Sequence, residues 1–273
     1  MRSIAVMNQK GGVGKTTTTV NLAAALARLG QRVCVIDIDP QAHATLHLGV
    51  EPLPELPSVY DVLAREAPLA AVRRQVEGNL FLVGSQLDLA GAEVELAGVV
   101  GREIILRDRL HQDDLAPDYL LIDCPPSLGV LTLNALAAVE EVFIPLQPHF
   151  LALHGLSRLL ETIDLVARRI NGRLRLSGVV LCMFDAATRL AHEVSQDVEA
   201  FFEGIKDSKT AWASAEVLHT RIRRNIRLAE APSFGQPIFQ YAPNSPGAED
   251  YHALAEEVLA QGARSAVGSA AEG

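Results

Sequence analysis

The sequence predicts an α/β fold in which helices cover both faces of a doubly wound, mostly parallel sheet. Short apolar runs alternate with helical patterns along the 273 residues, which is typical of repeated βαβ units. A glycine-rich loop separates the first apolar run from the first helical run, and aspartates end two of the runs. With 49% hydrophobic residues, the chain can bury a sizeable core. We expect one domain over residues 1–262 and a disordered tail, rich in Gly, Ser and Ala, over residues 263–273.

Six apolar, β-rich runs are the predicted strands. They cover residues 3–7, 32–37, 80–83, 119–123, 141–145 and 177–183. The first helix is predicted over residues 15–29, directly after the glycine-rich loop. Another helix opens at Ser58, where Asp61 three residues later completes a capping-box pattern. The clearest helical period covers residues 153–170 and stops at Asn171-Gly172.

Composition and charge limit the classes of partner. The formal net charge is −9, so the chain as a whole does not attract nucleic acid or anionic lipid, and either partner would need a local basic patch. Cys34, Cys124 and Cys182 stand far apart in apolar runs and form no C-x-x-C pair, which predicts buried thiols in a reducing cytoplasm. No apolar stretch approaches the roughly 18 residues that span a bilayer. We therefore expect a cytoplasmic protein without a membrane partner.

The glycine-rich loop has the pattern of a phosphate-binding loop, and its position between a strand and a helix is the one such loops occupy. Its glycines let backbone N–H groups converge on phosphate oxygens, and the following helix adds its dipole. Lys15 would reach the β- and γ-phosphates, and the Thr16 hydroxyl would face Mg²⁺. The residues expected to bind the nucleotide from this loop are Gly11, Gly12, Val13, Gly14, Lys15, Thr16 and Thr17.

Lys10 is a second lysine at the mouth of the same loop. Gln9 stands where the standard pattern has its first glycine, and the pattern tolerates any residue at Lys10. Because Lys15 already serves the loop's own phosphate, we interpret Lys10 as a cation directed outward, toward a phosphate held by a facing subunit. The alternative is a solvated surface lysine.

Three aspartates follow apolar strands and are expected near the loop, since ligands of doubly wound sheets bind at the carboxyl ends of the strands. Asp123 is the natural partner of Mg²⁺, mainly through water. Asp39 is better placed to position an attacking water, and Asp37 to support it. The alternative, that each forms only a turn, weakens once the three are taken together with the phosphate loop.

Arginines crowd one short segment of this otherwise acidic chain. They are Arg221, Arg223, Arg224 and Arg227, and Arg189 extends the same group. Clustered guanidinium groups bind phosphates without reading bases, which predicts sequence-independent, salt-sensitive binding of DNA. The alternative is a set of salt bridges to the many carboxylates. The eight histidines show no metal spacing, and His149 and His154 are interpreted as polar surface or loop residues.

Six segments together resemble the ParA/MinD family of deviant Walker ATPases, and within it the ParA (Soj) branch. They are QKGGVGKTTTTVNLAAALA (9–27), VIDIDPQAHAT (35–45), LDLAGAEVEL (87–96), DYLLIDCPPSLGVLTLNAL (118–136), EEVFIPLQPHFLALHGL (140–156) and RNIRLAEAPSFGQPI (224–238). The resemblance covers most of the chain. It implies a P-loop NTPase fold of the deviant Walker A type and Mg²⁺-dependent hydrolysis of ATP, with slow intrinsic turnover.

The resemblance also implies the roles of individual residues. Lys10 would be the signature lysine, which crosses to the partner's ATP in a nucleotide-sandwich homodimer. Lys15 and Thr16 would bind phosphate and Mg²⁺, Asp39 would act in hydrolysis as the first switch, and Asp123 would begin the second switch. The ATP-bound dimer would bind nonspecific double-stranded DNA on the nucleoid, and a ParB-type centromere-binding protein would stimulate hydrolysis.

Two other functions in the same family remain open at this point. A MinD-like positioning ATPase would need a C-terminal amphipathic helix, and the tail over residues 263–273 argues against one. An iron-protein reductase would need paired cysteine ligands from each subunit, and neither Cys34 nor Cys182 stands where the second ligand is expected beside Cys124.

The chain departs from the family pattern at three places. Ala42-His43 stands where Gly-Asn is expected, so the backbone of the first switch is expected to differ if a positive-φ glycine is needed there. Ile222-Arg223 replaces Ile-Pro in the loop near the base, which leaves the adenine contacts open. Ala187 replaces an arginine of the relatives, and Arg189 follows two residues later.

Overall fold

One sheet of eight strands forms the centre of the molecule. The computed structural model describes residues 1–149, 152–206 and 210–271, and for residues 152–154 and 264–271 it describes the backbone alone. The strands are β1 (Arg2–Val6), β2 (Val33–Asp37), β3 (Arg73–Glu77), β4 (Leu80–Val83), β5 (Tyr119–Asp123), β6 (Glu141–Leu146), β7 (Arg175–Phe184) and β8 (Glu216–Arg223). Their order is β3-β4-β2-β5-β1-β6-β7-β8, and β3 pairs antiparallel with β4 while the other pairs are parallel.

Helices follow the strands along the chain. They are α1 (Lys15–Arg28), α2 (His43–His47), α3 (Val59–Ala64), α4 (Leu69–Val72), α5 (Leu89–Glu95), α6 (Ile105–His111), α7 (Val130–Ala138), α8 (Ala152–Arg169), α9 (Arg189–Glu203), α10 (Ile226–Glu230), α11 (Ile238–Tyr241) and α12 (Pro246–Ala271). Two 3₁₀ helices, Leu96–Gly98 and Ala231–Phe234, continue α5 and α10. Among the described residues, no helix combines the length and the apolar character needed to cross a membrane.

Two hydrophobic clusters lie on opposite faces of the sheet. Neighbouring strand residues alternate between them because successive side chains of a strand point to opposite faces. The first cluster includes Ala5, Ile36, Ile122, Leu131 and Leu160, and the second includes Ile4, Val35, Leu121, Leu22 and Leu254. Helices therefore cover both faces, as the sequence predicts, with α7 and α8 on one side and α1 and α12 on the other.

All six predicted strands are confirmed, with bounds that differ by no more than two residues. The sequence analysis misses β3 and β8, which are the two edge strands. Edge strands commonly carry charged residues that discourage pairing with other chains, so they lack the apolar run that marks a central strand. In β8 only Leu218 and Ile222 are buried, while the rest of the strand is partly or fully exposed.

The predicted helices are also confirmed at their beginnings. The capping box at Ser58 and Asp61 is present, with Ser58 N donating to Asp61 Oδ2 over 2.9 Å. The final helix, α12, continues to Ala271 and so includes most of the segment predicted to be a disordered tail. The division of the chain at residue 262 stays a prediction.

The register of the central strands determines where the site lies. Asp37 at the end of β2 is paired with Asp123 at the end of β5, and Val6 at the end of β1 is paired with the same Asp123. β1 lies between β5 and β6, and the helix that follows β1 (α1) covers one face of the sheet while the helix that follows β5 (α7) covers the other. The loop after β1 and the aspartates of β2 and β5 therefore meet at one edge.

Candidate active site

The loop between β1 and α1 presents open backbone at this edge. Gly12 and Gly14 have φ values of 73° and 94°, in the left-handed region that favours glycine. A Cβ added at Gly11 or Gly12 would meet nothing within 4 Å, so a ligand can approach the backbone there. No side chain caps the first turn of α1, which begins at Lys15. Its N–H groups are therefore available to an anion.

Lys15 is the cation inside the loop. The side chain is buried, and Nζ donates to the backbone oxygen of Lys10 over 3.1 Å. Burial lowers the pKa of Lys15, while the nearby carboxylates of Asp123 and Asp39 act in the opposite direction. The loop thus brings a buried ammonium group close to the aspartates of two neighbouring strands.

Asp123 is held by two threonines of α1. Thr16 Oγ1 donates to Asp123 Oδ2 over 2.7 Å, and Thr19 Oγ1 donates to Oδ1 over 2.9 Å. Burial, together with the neighbouring carboxylate of Asp37, raises the pKa of Asp123 to about 8, against the effect of the two threonine hydrogen bonds. A nearby cation stabilises a carboxylate that is buried beside a second carboxylate. Thr16 and Asp123 together are therefore a suitable site for Mg²⁺. Thr19 was not identified from the sequence, since any of the four consecutive threonines could face the strand.

The first switch, residues 37–47, is organised by Asp37. Asp37 Oδ2 accepts hydrogen bonds from Thr45 N over 2.8 Å and from Thr45 Oγ1 over 2.7 Å, and Oδ1 accepts one from Asp39 N over 3.1 Å. Burial raises the pKa of Asp37 to about 6, against the effect of these hydrogen bonds. Asp39 lies at the cavity, and its backbone oxygen accepts a hydrogen bond from Ser85 Oγ over 2.7 Å. Asp37 thus bonds the backbone of Asp39, while its support of water positioning stays a prediction. No local pattern marks Thr45 and Ser85, whose partners lie 8 and 46 positions away.

Ala42 adopts the conformation for which the family has glycine. Its φ and ψ are 54° and 30°, in the left-handed region, and it precedes the first residue of α2. The turn therefore has a residue at positive φ even without glycine, and a difference from the backbone of the relatives stays a prediction. The Cβ of Ala42 makes this left-handed conformation unfavourable by about 1 kcal/mol.

A cavity of about 760 Å³ opens over the phosphate loop and the first switch. Its volume is that of a site for a small ligand of nucleotide size. The loop side is lined by Gly11, Gly12, Gly14, Lys15, Thr16 and Thr17, with Asp39, Gln41, His43 and Pro126 beside them. The opposite wall comes from the ends of β7 and β8, from α10 and from α12, and includes Cys182, Met183, Ile222, Arg223, Arg224, Asn225, Ile226, Leu228, Ala229 and Tyr251. Sequence reasoning did not identify most of this wall.

The five arginines predicted to bind DNA lie around this wall and on α9, and four of them pair with carboxylates. Arg223 bonds Asp250 and Glu249. Arg221 pairs with Glu199, Arg227 pairs with Glu230, and Arg189 pairs with Glu193. Arg224 is exposed and lines the cavity next to Arg223. The salt-bridge alternative is thus observed for four arginines, while their binding to DNA stays a prediction.

Lys10 and Val13 line a second, smaller cavity on the other side of the loop. Val13 is buried and does not line the larger cavity, so its predicted contact with the nucleotide stays a prediction. The Lys10 side chain is exposed, and its Nζ contacts Nε2 of His149, in the loop after β6. His149 was interpreted from the sequence as a polar loop residue, and this contact with the lysine was not foreseen. The side chain of His154 lies outside the described residues.

The three cysteines are buried thiols, as predicted. Burial raises the pKa of Cys34 and Cys182 to about 12 and that of Cys124 well above its ordinary value, so the thiolate forms are disfavoured. Within the described ranges, no three His, Cys, Asp or Glu side chains lie close enough together to hold a metal ion.

Comparisons with known proteins agree with this geometry. The family model of the AAA domain matches residues 1–176. The sporulation initiation inhibitor protein Soj of Bacillus subtilis is 46% identical, and the match covers 95% of this chain and 98% of Soj. The chromosome-partitioning ATPase Soj of Thermus thermophilus is 48% identical, with 96% of each chain covered. The crystal structure of cobyrinic acid a,c-diamide synthase from Mycobacterium smegmatis, with bound ATP analog and magnesium, matches with a TM-score of 0.79 and 36% identity over 95% of this chain and 94% of that one.

The doubly wound sheet, the phosphate loop and the strand-end aspartates define a P-loop ATPase. Within that class, the chain belongs to the Soj/ParA family of chromosome-partitioning ATPases.

Proposed function

We propose that this chain is a DNA-tethered partition switch, in which ATP drives formation of a sandwich dimer and the dimer binds nonspecific double-stranded DNA. A ParB-type partner stimulates hydrolysis and so returns the chain to the monomer. The observation that carries the proposal is the pair of lysines at one loop. Lys15 is buried inside the loop, and Lys10 is exposed on its rim, outside the cavity that Lys15 lines. A second cation in that position suits a phosphate of a facing subunit.

In this function the loop backbone and Lys15 bind the β- and γ-phosphates of ATP. Thr16 and, through water, Asp123 would hold Mg²⁺, which would supply charge neutralisation on the phosphates. Asp39 positions the attacking water, and Asp37 keeps Asp39 in place through its backbone. The charged group that faces Asp39 across the loop is the Lys15 ammonium, so positioning and charge neutralisation account for the chemistry. Slow intrinsic turnover follows from this.

Binding to DNA is proposed for the arginines beside the cavity wall. Their carboxylate partners are mostly on the surface, where an ion pair contributes little, so DNA phosphates can replace those carboxylates at small cost. Arg223 and Arg224 line the nucleotide cavity, so their positions depend on what occupies it. This gives a physical route by which ATP controls the affinity for DNA.

The test measures binding of a fluorescent nonspecific duplex at about 50 and about 200 mM salt, with no nucleotide, ADP or ATP. We expect the wild type to bind with ATP and to lose most of its affinity at the higher salt. Arg189→Ala/Arg227→Ala, at two arginines that do not line the cavity, should lose binding and keep ATP-dependent dimerisation. The matched pair Arg168→Ala/Arg169→Ala at the end of α8 should bind as the wild type does. Absence of DNA binding in every nucleotide state would contradict the proposal and favour a MinD-like positioning role.

A further inference from the structure

The contact between Lys10 and His149 has a structural basis in the way the loop is tied to β6. Asn8 Nδ2 donates to the backbone oxygen of Pro145 over 2.8 Å, and Asn8 Oδ1 accepts a hydrogen bond from Lys10 N over 3.0 Å. One buried asparagine thus connects the mouth of the phosphate loop to the end of β6. The residues after β6 are brought beside Lys10, and Lys10 Nζ contacts His149 Nε2 there.

The chemistry of the contact requires a neutral imidazole. A lysine ammonium group has only donors, so Nε2 of His149 must offer its lone pair. Burial lowers the pKa of His149, and the charge of Lys10 lowers it further, so the neutral ring is the form present at neutral pH. Lys10 is a charged group that faces the ring. The small cavity that they share is otherwise lined by residues of the loop after β1, of the end of β6 and the loop after it, and of α8, which are Asn8, Val13, Leu146, Gln147, Gly155, Leu156 and Leu159.

We propose that His149 is a positioning residue that holds the signature lysine, Lys10, against its own subunit in the monomer and gives it up when a partner's ATP phosphate takes its place. The inference rests on the proposed sandwich dimer. With the neutral imidazole, the Lys10 ammonium makes a bond in which only the donor is charged, whereas with a phosphate oxygen both partners are charged. The added attraction between opposite charges lets the phosphate displace the imidazole. Each protomer must break this contact before dimerisation, and the contact therefore raises the ATP concentration at which dimers form.

The experiment measures the monomer–dimer equilibrium by sedimentation in the nonhydrolysable analogue AMPPNP. The variants are His149→Ala, which removes the acceptor, and His149→Gln, which keeps a neutral acceptor that does not titrate. His111→Ala, an exposed histidine on α6, is the matched control, and Lys10→Ala tests the sandwich itself. Nucleotide affinity of the monomer and thermal unfolding are measured for the three histidine variants and should match the wild type.

At pH 7.5 we expect His149→Ala to dimerise about 10-fold more tightly than the wild type, since each of two protomers loses one contact that is equivalent to about 3-fold. Lowering the pH to 6.0 increases the protonated fraction of His149, so the wild type should dimerise more tightly, while His149→Gln should not show this increase. Equal dimerisation of His149→Ala and wild type at both pH values, with Lys10→Ala unable to dimerise, would overturn the inference alone. Normal dimerisation of Lys10→Ala would overturn the sandwich dimer and this inference with it.

Discussion

The phosphate loop and the first switch occupy the same edge of the sheet and connect a strand to a helix in both cases, but they are built in opposite ways. The loop uses glycines at positive φ and presents its backbone to the cavity. The first switch has an alanine at positive φ, and it is held by side chains, with Asp37 bonded to Thr45 and Ser85 bonded to Asp39. A loop of the first kind is ready to bind before a ligand arrives, whereas the second depends on contacts with the strand beside it.

The largest effect should come from the loop. Lys15→Ala removes the buried ammonium group and should weaken ATP binding by at least about 100-fold, because the charge-assisted bonds to the phosphates have no replacement. Fluorescent ATP titration would measure this, with Lys206→Ala on the exposed surface as the control. A Lys15→Ala variant that is folded and binds ATP normally would remove Lys15 from the phosphate site.

The next effect concerns the first switch and should appear in turnover alone. Asp39→Ala should leave ATP binding within about 3-fold and lower kcat by about 100-fold, since positioning of the attacking water contributes on that scale. The control is Asp197→Ala, an exposed carboxylate on α9. If the Asp39 variant hydrolysed ATP at the normal rate, the phosphate loop would be sufficient for hydrolysis. The proposed difference in role between the phosphate loop and the first switch would then be wrong.

A smaller effect is expected in the pH dependence of stability. His47, at the end of α2, is buried, and burial lowers its pKa to about 4. Between about pH 6.5 and pH 4, His47 binds a proton in the unfolded chain but stays neutral in the native chain. The contribution of His47 to the free energy of unfolding is therefore fully present above about pH 6.5 and falls as the pH decreases below that value. We expect a loss of about 2 kcal/mol between pH 7.5 and pH 5.

The measurement is urea unfolding of wild type and His47→Gln at both pH values. Asp37 has a raised pKa and gains native-state protons in the same range, which stabilises the fold at low pH, so only the difference between the two chains isolates His47. An equal pH dependence in both chains would show that His47 is not buried in its neutral form.

The smallest effect concerns Ala42 directly. Ala42→Gly removes a Cβ from the left-handed region, and we expect a gain of about 0.5 kcal/mol in unfolding free energy, after the entropy that glycine adds to the unfolded chain. The same change at Ala200, exposed on α9, should cost about 1 kcal/mol. Chemical denaturation would compare the two variants, and destabilisation of both would mean that the first switch does not carry this strain.

The sequence predicts those features of the fold and the site that depend on residues close together along the chain. The phosphate loop, the capping box at Ser58 and the strand-end aspartates each have a local pattern, and the structure agrees with all of them. The far wall of the cavity was missed because residues such as Met183 and Tyr251 become neighbours only through pairing of β7 with β8 and packing of α12. The contact of Lys10 with His149 was missed for the same reason, since 139 positions separate the two residues.

The bond between Thr18 Oγ1 and Tyr251 OH, 3.1 Å long, links the first helix of the chain to the last. Tyr251, Leu254 and Val258 of α12 belong to the same buried cluster as the inner face of α1. During synthesis, α1 leaves the ribosome more than 200 residues before α12. The apolar face of α1 therefore stays uncovered until α12 can pack against it. A nascent chain therefore contains the complete phosphate loop long before α12 packs against the helix that follows this loop, and nucleotide binding should begin only after α12 has been synthesised.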